Sequence, residues 1–97
     1  MHPATDTAEF TFNLSIDGGS NYNVTKTTTA FRGLHDEADS QTSLSYQTAS
    51  DLAQSTGLQL LTRDLGNDND QNASGYLHLF NPSSTTFVKH YLGVCNE

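Results

Sequence analysis

Residues 9–16 alternate strictly between polar and apolar side chains. A period of two places every second side chain on the same face of a β-strand. Residues 17–20 read Asp-Gly-Gly-Ser, and Asp-Gly and Gly-Gly pairs tolerate the positive φ angles of tight hairpin turns. The pattern therefore predicts an amphipathic strand, a hairpin turn, and a return strand over residues 22–29. The side chains predicted to share the apolar face are Phe10, Phe12, Leu14 and Ile16.

Further strand and turn signals continue along the chain. Residues 58–65 fit either a strand or a helix, and the strand is favoured because Gly57 and Gly66 bracket the segment at the length of a strand. Residues 76–80 predict a strand that Pro82 ends, because proline has no N–H for the ladder. Residues 86–94 predict the last strand. The segments between strands are predicted as loops over 34–40 and 66–75, and as one helical turn over 48–54 capped by Thr48 or Ser50.

About five to seven short strands with regular turn signals are typical of a sandwich or barrel. We therefore predict an all-β fold, an antiparallel β-sandwich of jelly-roll type, as a single domain over residues 1–97. The chain has only 97 residues, of which 34% are hydrophobic, so its core must be thin. This favours a sandwich that is truncated or that is completed by assembly with other chains.

The charge of the chain bears on its partners. Four Lys and Arg residues stand against eleven Asp and Glu, for a net charge of −7. Binding to nucleic acid or to an anionic membrane needs clustered cations, and the basic residues here are dispersed. No apolar run approaches the ~20 residues of a membrane span, and residues 2–6 do not resemble a signal peptide. We expect no nucleic-acid or membrane partner, and synthesis in the cytoplasm.

Candidate catalytic residues are scarce. A single cysteine, Cys95, excludes an internal disulfide and a thiolate zinc site. No Gly-x-Ser-x-Gly elbow is present, and the acidic residues fall in predicted loops, where two carboxylates facing across a cleft are not expected. The sequence therefore predicts a non-catalytic protein with no catalytic residue and no cofactor.

One loop has the beginning of a calcium-binding pattern. Asp68, Asp70 and Asn72 offer side-chain oxygens at alternating positions, as in the first half of a calcium loop. The sixth position is Ala73 where glycine is expected, and the twelfth is Leu79 where a bidentate glutamate is expected. Asn and Asp are also favoured in ordinary turns. A plain solvated loop is the first interpretation, and a calcium site is the alternative.

Histidines and tyrosines supply the remaining candidates. The histidines show no ligand spacing for a metal, and we expect them to pack on half-exposed strands with their polar tips outward. Tyrosines beside polar residues suit protein contacts, and they also suit glycans, because aromatic faces with amides and hydroxyls bind sugars. We predict protein contacts first and carbohydrate binding second. The tyrosines are Tyr22, Tyr46, Tyr76 and Tyr91. The alternative for the histidines is a zinc or catalytic set made of His35, His78 and His90 with Asp36, Glu37 and Asp39.

Three stretches carry a resemblance to a known group of proteins. They are residues 2–6, residues 9–12 leading into 17–29, and residues 74–90. Together they resemble virion structural proteins of tailed phages and marine viruses, whose role is unassigned. The resemblance implies a β-sandwich displayed on the virion as a tail, fibre or decoration element, after synthesis in the host cytoplasm.

The same resemblance bears on partners and length. On a virion, open sheet edges and aromatic patches predict a homo-oligomer that also contacts other virion proteins, and host-surface glycans are the alternative ligand. The resemblance supplies no catalytic or binding residue. Members of the group look longer than this chain, with a strand before residue 2 and further strands after Cys95. A truncated relative, a fragment, or a minimal version completed by assembly would account for that difference.

Overall fold

The structure is a computed structural model that describes all 97 residues, and it contains β-strands and one short 3₁₀ helix. The all-β prediction is confirmed, because no α-helix is present. No helix in the structure has both the length and the apolar character that crossing a membrane requires. In chain order the elements are β1 (Ala8–Phe12), β2 (Phe31–His35), β3 (Thr42–Tyr46), the 3₁₀ helix (Thr48–Ser50), β4 (Gln59–Leu65), β5 (Ser74–Phe80) and β6 (His90–Asn96).

The strands pair as three two-stranded sheets, β1 with β4, β2 with β3, and β5 with β6. The β2–β3 and β5–β6 pairs are antiparallel hairpins. The β5–β6 hairpin joins two strands that the sequence predicted, whereas the pairing of β2 with β3 was not predicted. The chain divides into two compact units, one formed by Met1–Thr11 with Leu60–Glu97 and the other by Phe12–Gln59. A single sandwich domain over residues 1–97 stays a prediction from the sequence.

Strand β1 confirms the predicted alternation over part of its length. Phe10 and Phe12 are half-buried, whereas Glu9 and Thr11 between them are exposed. The strand ends at Phe12, short of the predicted residue 16, and Ile16 is 88% exposed. Asn13 accounts for the early end, because its side chain accepts a hydrogen bond from the Leu14 N–H and so competes with strand pairing.

The predicted return strand over residues 22–29 is wrong. That segment makes only one isolated antiparallel bridge, in which the backbones of Lys26 and Ser55 exchange hydrogen bonds of 2.8 and 2.9 Å. The turn before it does have the predicted conformation, since Gly18 and Gly19 have φ of 72° and 92°. No hairpin forms after this turn, because hydrogen bonds from side chains within the loop hold the loop in its own conformation.

Asp17 is the centre of this loop. Its carboxylate accepts hydrogen bonds from the Ser15 hydroxyl at 2.7 Å and from the backbone and side-chain N–H groups of Asn21 at 2.8 and 2.7 Å. The Ser15 hydroxyl oxygen in turn accepts from the Gly19 N–H at 3.0 Å. These bonds favour the ionised carboxylate, with the Asn21 side chain contributing most, and lower the pKa of Asp17 to about 2.

Replacing Asp17 with alanine is expected to lower the melting temperature at neutral pH and to have little effect near pH 2. The folded-state pKa of about 2 lies below the ordinary 3.8 of an unfolded aspartate. The carboxylate therefore stabilises the fold fully above pH 3.8, and this contribution is lost as the pH falls through about 2. Thermal melts of both proteins across this range test it, and an equal difference at every pH would contradict it.

The middle of the chain departs from the prediction in two ways. Phe31 begins a strand, β2, that was not predicted, and Leu34 and His35 belong to it, where a loop was predicted. The loop is shorter because the Asp36 carboxylate accepts from the N–H groups of Ser40 and Gln41, each at 2.8 Å, and closes a tight turn. Residues 43–46, whose side chains alternate between polar and apolar, lie in β3.

The short helix and the last three strands follow the prediction more closely. The helical turn predicted over 48–54 is a 3₁₀ helix, but Gln47 is its N-cap and makes no side-chain capping bond, so the predicted caps are wrong. Strand β4 lies within one residue of its predicted bounds, and β5 ends as predicted at Phe80 but begins two residues early, at Ser74. Strand β6 begins four residues late, because the Ser84 hydroxyl accepts from the N–H groups of Thr86 and Phe87 at 3.3 and 3.4 Å and holds that segment in turns.

The hydrophobic core is very small. Leu65 and Ala73, at 4% and 0% exposure, are the only buried hydrophobic residues, and Thr62 is the largest fully buried side chain. Fourteen large hydrophobic residues expose 42% or more of their surface. The chain exposes 7259 Å² in total, whereas a folded monomer of its mass is expected to expose about 5,500 Å². Even two separate folded units of half that mass would expose only about 6,600 Å².

Candidate interaction surface

The two faces of the β5–β6 hairpin differ in what they lie against. In its register Leu77 lies opposite Gly93 and Gly75 opposite Cys95, so these residues share one face. Leu77 and Cys95 are half-buried. A Cβ placed on Gly93 would lie 3.7 Å from the side chain of Leu61 in β4. This face is therefore directed towards β4, which leaves the other face outward.

Apart from Ser74 and Asn96 at one end, the outward face consists of exposed rings and aliphatic side chains, and we call these six residues the outer face. The register places Tyr76 opposite Val94, His78 opposite Leu92, and Phe80 opposite His90. All six are exposed, with fractions of 52% for Tyr76 and Phe80, 54% for Leu92 and 42% for Val94. A soluble monomer seldom leaves so many neighbouring apolar side chains uncovered, and such patches mark contact sites.

The rings along β5 contact one another. Tyr76 and His78 have ring centroids 5.0 Å apart with their planes at 72°, an edge-to-face contact. His78 and Phe80 follow at 6.4 Å with their planes at 24°. Because neighbouring rings lie at a steep angle, Tyr76 and His78 do not form one flat platform on which a sugar ring could stack.

The outer face also lacks charge. Residues 74–96 contain no Asp or Glu, although the chain has eleven acidic residues and a net charge of −7. Lys89 is the only Lys or Arg in the segment, and it lies in the loop before β6, where its ammonium donates to the Phe87 carbonyl at 3.0 Å. This hairpin is therefore free of the negative charge that covers the rest of the sequence.

The β2–β3 hairpin carries a second, smaller exposed face. Phe31 and Tyr46 are cross-strand partners with ring centroids 5.2 Å apart, and Leu44 lies opposite Gly33 on the same face. Leu44 is 84% exposed and Phe31 is 72% exposed. The Tyr46 hydroxyl makes a hydrogen bond to the Asp51 carboxylate. This bond raises the pKa of Tyr46 and holds the hydroxyl end of the ring in place.

The predicted calcium ligands lie in the exposed loop between β4 and β5. The side chains of Asp68, Asp70 and Asn72 are all exposed. The Asp68 carbonyl lies 2.9 Å from the His2 ring nitrogen Nε2 and accepts the Gln71 N–H at 3.1 Å, so it closes a turn. No group of three or more His, Cys, Asp or Glu side chains is arranged to hold a metal ion. The calcium site stays a prediction from the sequence.

Calcium binding at this loop has a direct test. If the loop binds the ion, millimolar calcium must raise the melting temperature, since a ligand that binds only the folded state stabilises it. An Asp68→Asn, Asp70→Asn variant must lose that rise. An unchanged melting temperature in the native chain would reject the site.

The other predicted site residues separate into different places. His78 and His90 lie on adjacent strands and on the same face of the hairpin. His35 pairs instead with Asp39, its Nε2 lying 2.8 Å from the carboxylate on an exposed turn. Tyr76 and Tyr91 lie on opposite faces of the β5–β6 hairpin, so they cannot contribute to one glycan-binding surface there.

Comparisons with known proteins give no assignment. No protein-family model matches the chain, and neither a curated protein nor a solved structure matches it. The resemblance to virion structural proteins therefore stays a prediction from the sequence.

Proposed function

We propose that this chain is a non-catalytic structural protein of a virus particle, that it acts through self-association and contacts with other virion proteins, and that assembly completes its sheets into a jelly-roll-like sandwich. The observation that carries the proposal is the imbalance between buried and exposed apolar side chains. Two hydrophobic residues are buried, whereas fourteen large ones are exposed. The location on a virus rests on the resemblance of the sequence alone.

The energetics of a small chain support association. Ordering each residue costs about 1–2 kcal/mol of conformational entropy, and burial of apolar surface must offset most of it. Burying one large apolar side chain contributes about 1.5–3 kcal/mol. With Leu65 and Ala73 as the only buried hydrophobic residues, the isolated chain has few such contributions. A partner that covers the exposed side chains would supply the missing ones.

The sheets also favour association. Each strand has a single strand neighbour, because every sheet is two-stranded. Two-stranded hairpins are marginally stable on their own, and further strands or a packed layer are needed for independent stability. The outer edge of a hairpin can receive a strand from another chain. Completion of these sheets by other chains would give the two-layered sandwich predicted from the sequence.

Sedimentation velocity of the purified chain tests the proposal. Over about a hundredfold range of concentration, the sedimentation coefficient is expected to rise as mass action drives oligomer formation. Detection of the chain in purified particles by mass spectrometry tests the location on a virion. A chain that stays monomeric throughout and binds a glycan array would instead be the attachment module that is the alternative from the sequence.

A further inference from the structure

We propose that two copies of this chain pair through the outer face of the β5–β6 hairpin, one outer face packing on the other. The inference rests on the proposed self-association and names the contact that produces it. The outer face comprises Tyr76, His78, Phe80, His90, Leu92 and Val94. Its occupant is a second copy, for reasons of area, charge and ring geometry.

The area of the outer face fits a weak to moderate dimer. A large side chain such as an aromatic one has about 150–250 Å² of surface when it is fully accessible. The four apolar residues of the outer face are 42–54% exposed. Together with the two histidines they present roughly 500 Å² per copy. Two such faces would bury about 1,000 Å², the lower limit for a specific protein–protein interface. The hairpin therefore has enough surface for pairing without help from another element.

Charge favours a second copy over other partners. Two chains of net charge −7 repel each other wherever acidic surfaces meet. The hairpin segment 74–96 contains no acidic residue, so the strands of two identical hairpins can approach without placing their own carboxylates against each other. With only Lys89 as a fixed positive charge, the segment has little to attract an acidic partner. Apolar contact between like chains is the interaction that this surface can make.

The shape of the face suits protein side chains. The edge-to-face contact between Tyr76 and His78 gives ridges and grooves in place of a flat ring surface. Side chains of a facing hairpin can insert between such ridges, as side chains do between packed sheets. In a twofold pair the middle of the face meets its own copy. The middle row is His78 with Leu92, so Leu92 is expected at the centre of the contact.

The decisive variants are Leu92→Asp and its matched control Leu44→Asp. Both replace an exposed strand leucine by aspartate, at 54% exposure in β6 and 84% exposure in β3. Leu92→Asp is expected to weaken pairing at least tenfold, because it places two carboxylates together at the centre of the contact. Leu44→Asp is expected to sediment as the native chain does. Adding salt to the native chain is expected to strengthen pairing, since salt screens the repulsion between two acidic chains.

Cross-linking gives a second measurement that does not depend on loss of association. In a Cys95→Ser background, Leu92→Cys is expected to form a disulfide-linked dimer on mild oxidation, whereas Leu44→Cys is expected to stay monomeric on a denaturing gel. This readout decides the matter if Leu92→Asp fails to fold or if both aspartate variants dissociate.

The outcomes separate the two proposals. Oligomers that Leu92→Asp leaves intact, or a Leu92→Cys chain that does not cross-link, would overturn the outer-face contact and leave self-association standing. A native chain that is monomeric at every concentration would overturn both. Pairing that salt weakens would point to charge attraction and would also contradict an apolar contact between like chains.

Discussion

Replacing Gly75 with alanine is expected to destabilise the β5–β6 hairpin severely, whereas the same change at Gly33 leaves the chain at least as stable as before. A Cβ on Gly75 would lie 2.2 Å from the Val94 carbonyl oxygen and 2.8 Å from the Cys95 Cα. These are backbone atoms of the paired strand and cannot move without breaking the ladder. We expect a loss of about 3 kcal/mol or more, at the upper end of overpacking effects.

Gly33 is the matched control because it also lies in a hairpin strand, here β2. Nothing lies within 4 Å of a Cβ placed on Gly33. Alanine there reduces the freedom of the unfolded chain, which favours the folded state by about 0.5–1 kcal/mol. Denaturant unfolding of the two variants measures both effects. Equal stabilities would contradict the close approach of β5 and β6 at Gly75.

The second large loss of stability is expected when Asn13 is replaced. Its side-chain oxygen and its side-chain nitrogen both make hydrogen bonds within residues 12–59. Its Oδ1 accepts from the Leu14 N–H at 2.9 Å and from the Lys26 ammonium at 2.5 Å. Its Nδ2 donates to the carbonyls of Tyr22 and Thr56 at 2.8 and 3.1 Å. The side-chain amide of Asn13 therefore connects four residues of the unit formed by Phe12–Gln59.

Lys26 makes the loss of Asn13 costly. It is 5% exposed, and its ammonium has the Asn13 oxygen and the Val24 carbonyl as acceptors. Burial lowers the pKa of Lys26, since the charged form is poorly solvated there. An Asn13→Ala variant would remove four hydrogen bonds and leave this ammonium with the Val24 carbonyl, so we expect a loss of about 3–4 kcal/mol.

Asn13→Asp is the informative companion variant. Aspartate keeps an acceptor oxygen for Lys26 and Leu14 but loses both donors to the carbonyls of Tyr22 and Thr56. Its stability is expected between those of the native chain and Asn13→Ala, as measured by denaturant unfolding. If Asn13→Ala were as stable as the native chain, Asn13 would not hold this unit together.

Much of the fold could be predicted because its signals are local. The alternation of Phe10 and Phe12 with polar residues predicted β1, and Pro82 predicted the end of β5. The failures involve contacts that are distant in sequence. Asn13 ends β1 through a side chain that also reaches Thr56, 43 residues away, and no pattern in the sequence reveals that pair. The return strand was mispredicted for the same reason, since Lys26 pairs with Ser55.

Only part of the candidate interaction surface could be predicted from the sequence. The sequence placed Tyr76, His78 and Phe80 on one face of a strand, and this is confirmed. It could not show which face points outward, because Leu77 and Leu79 make the other face equally apolar. The register with β6 was also hidden, since the connection spans residues 81–89 and its turns come from the Ser84 hydroxyl. The absence of acidic residues over 74–96 was visible in the sequence but gains meaning only once the hairpin is known.

The melting temperature as a function of protein concentration tests most directly whether this chain draws its stability from other copies of itself. If association supplies the missing core, a hundredfold rise in concentration is expected to raise the melting temperature by roughly 5–10 °C for a chain of this size. A melting temperature that does not change with concentration, in a chain that sediments as a monomer, would contradict that account.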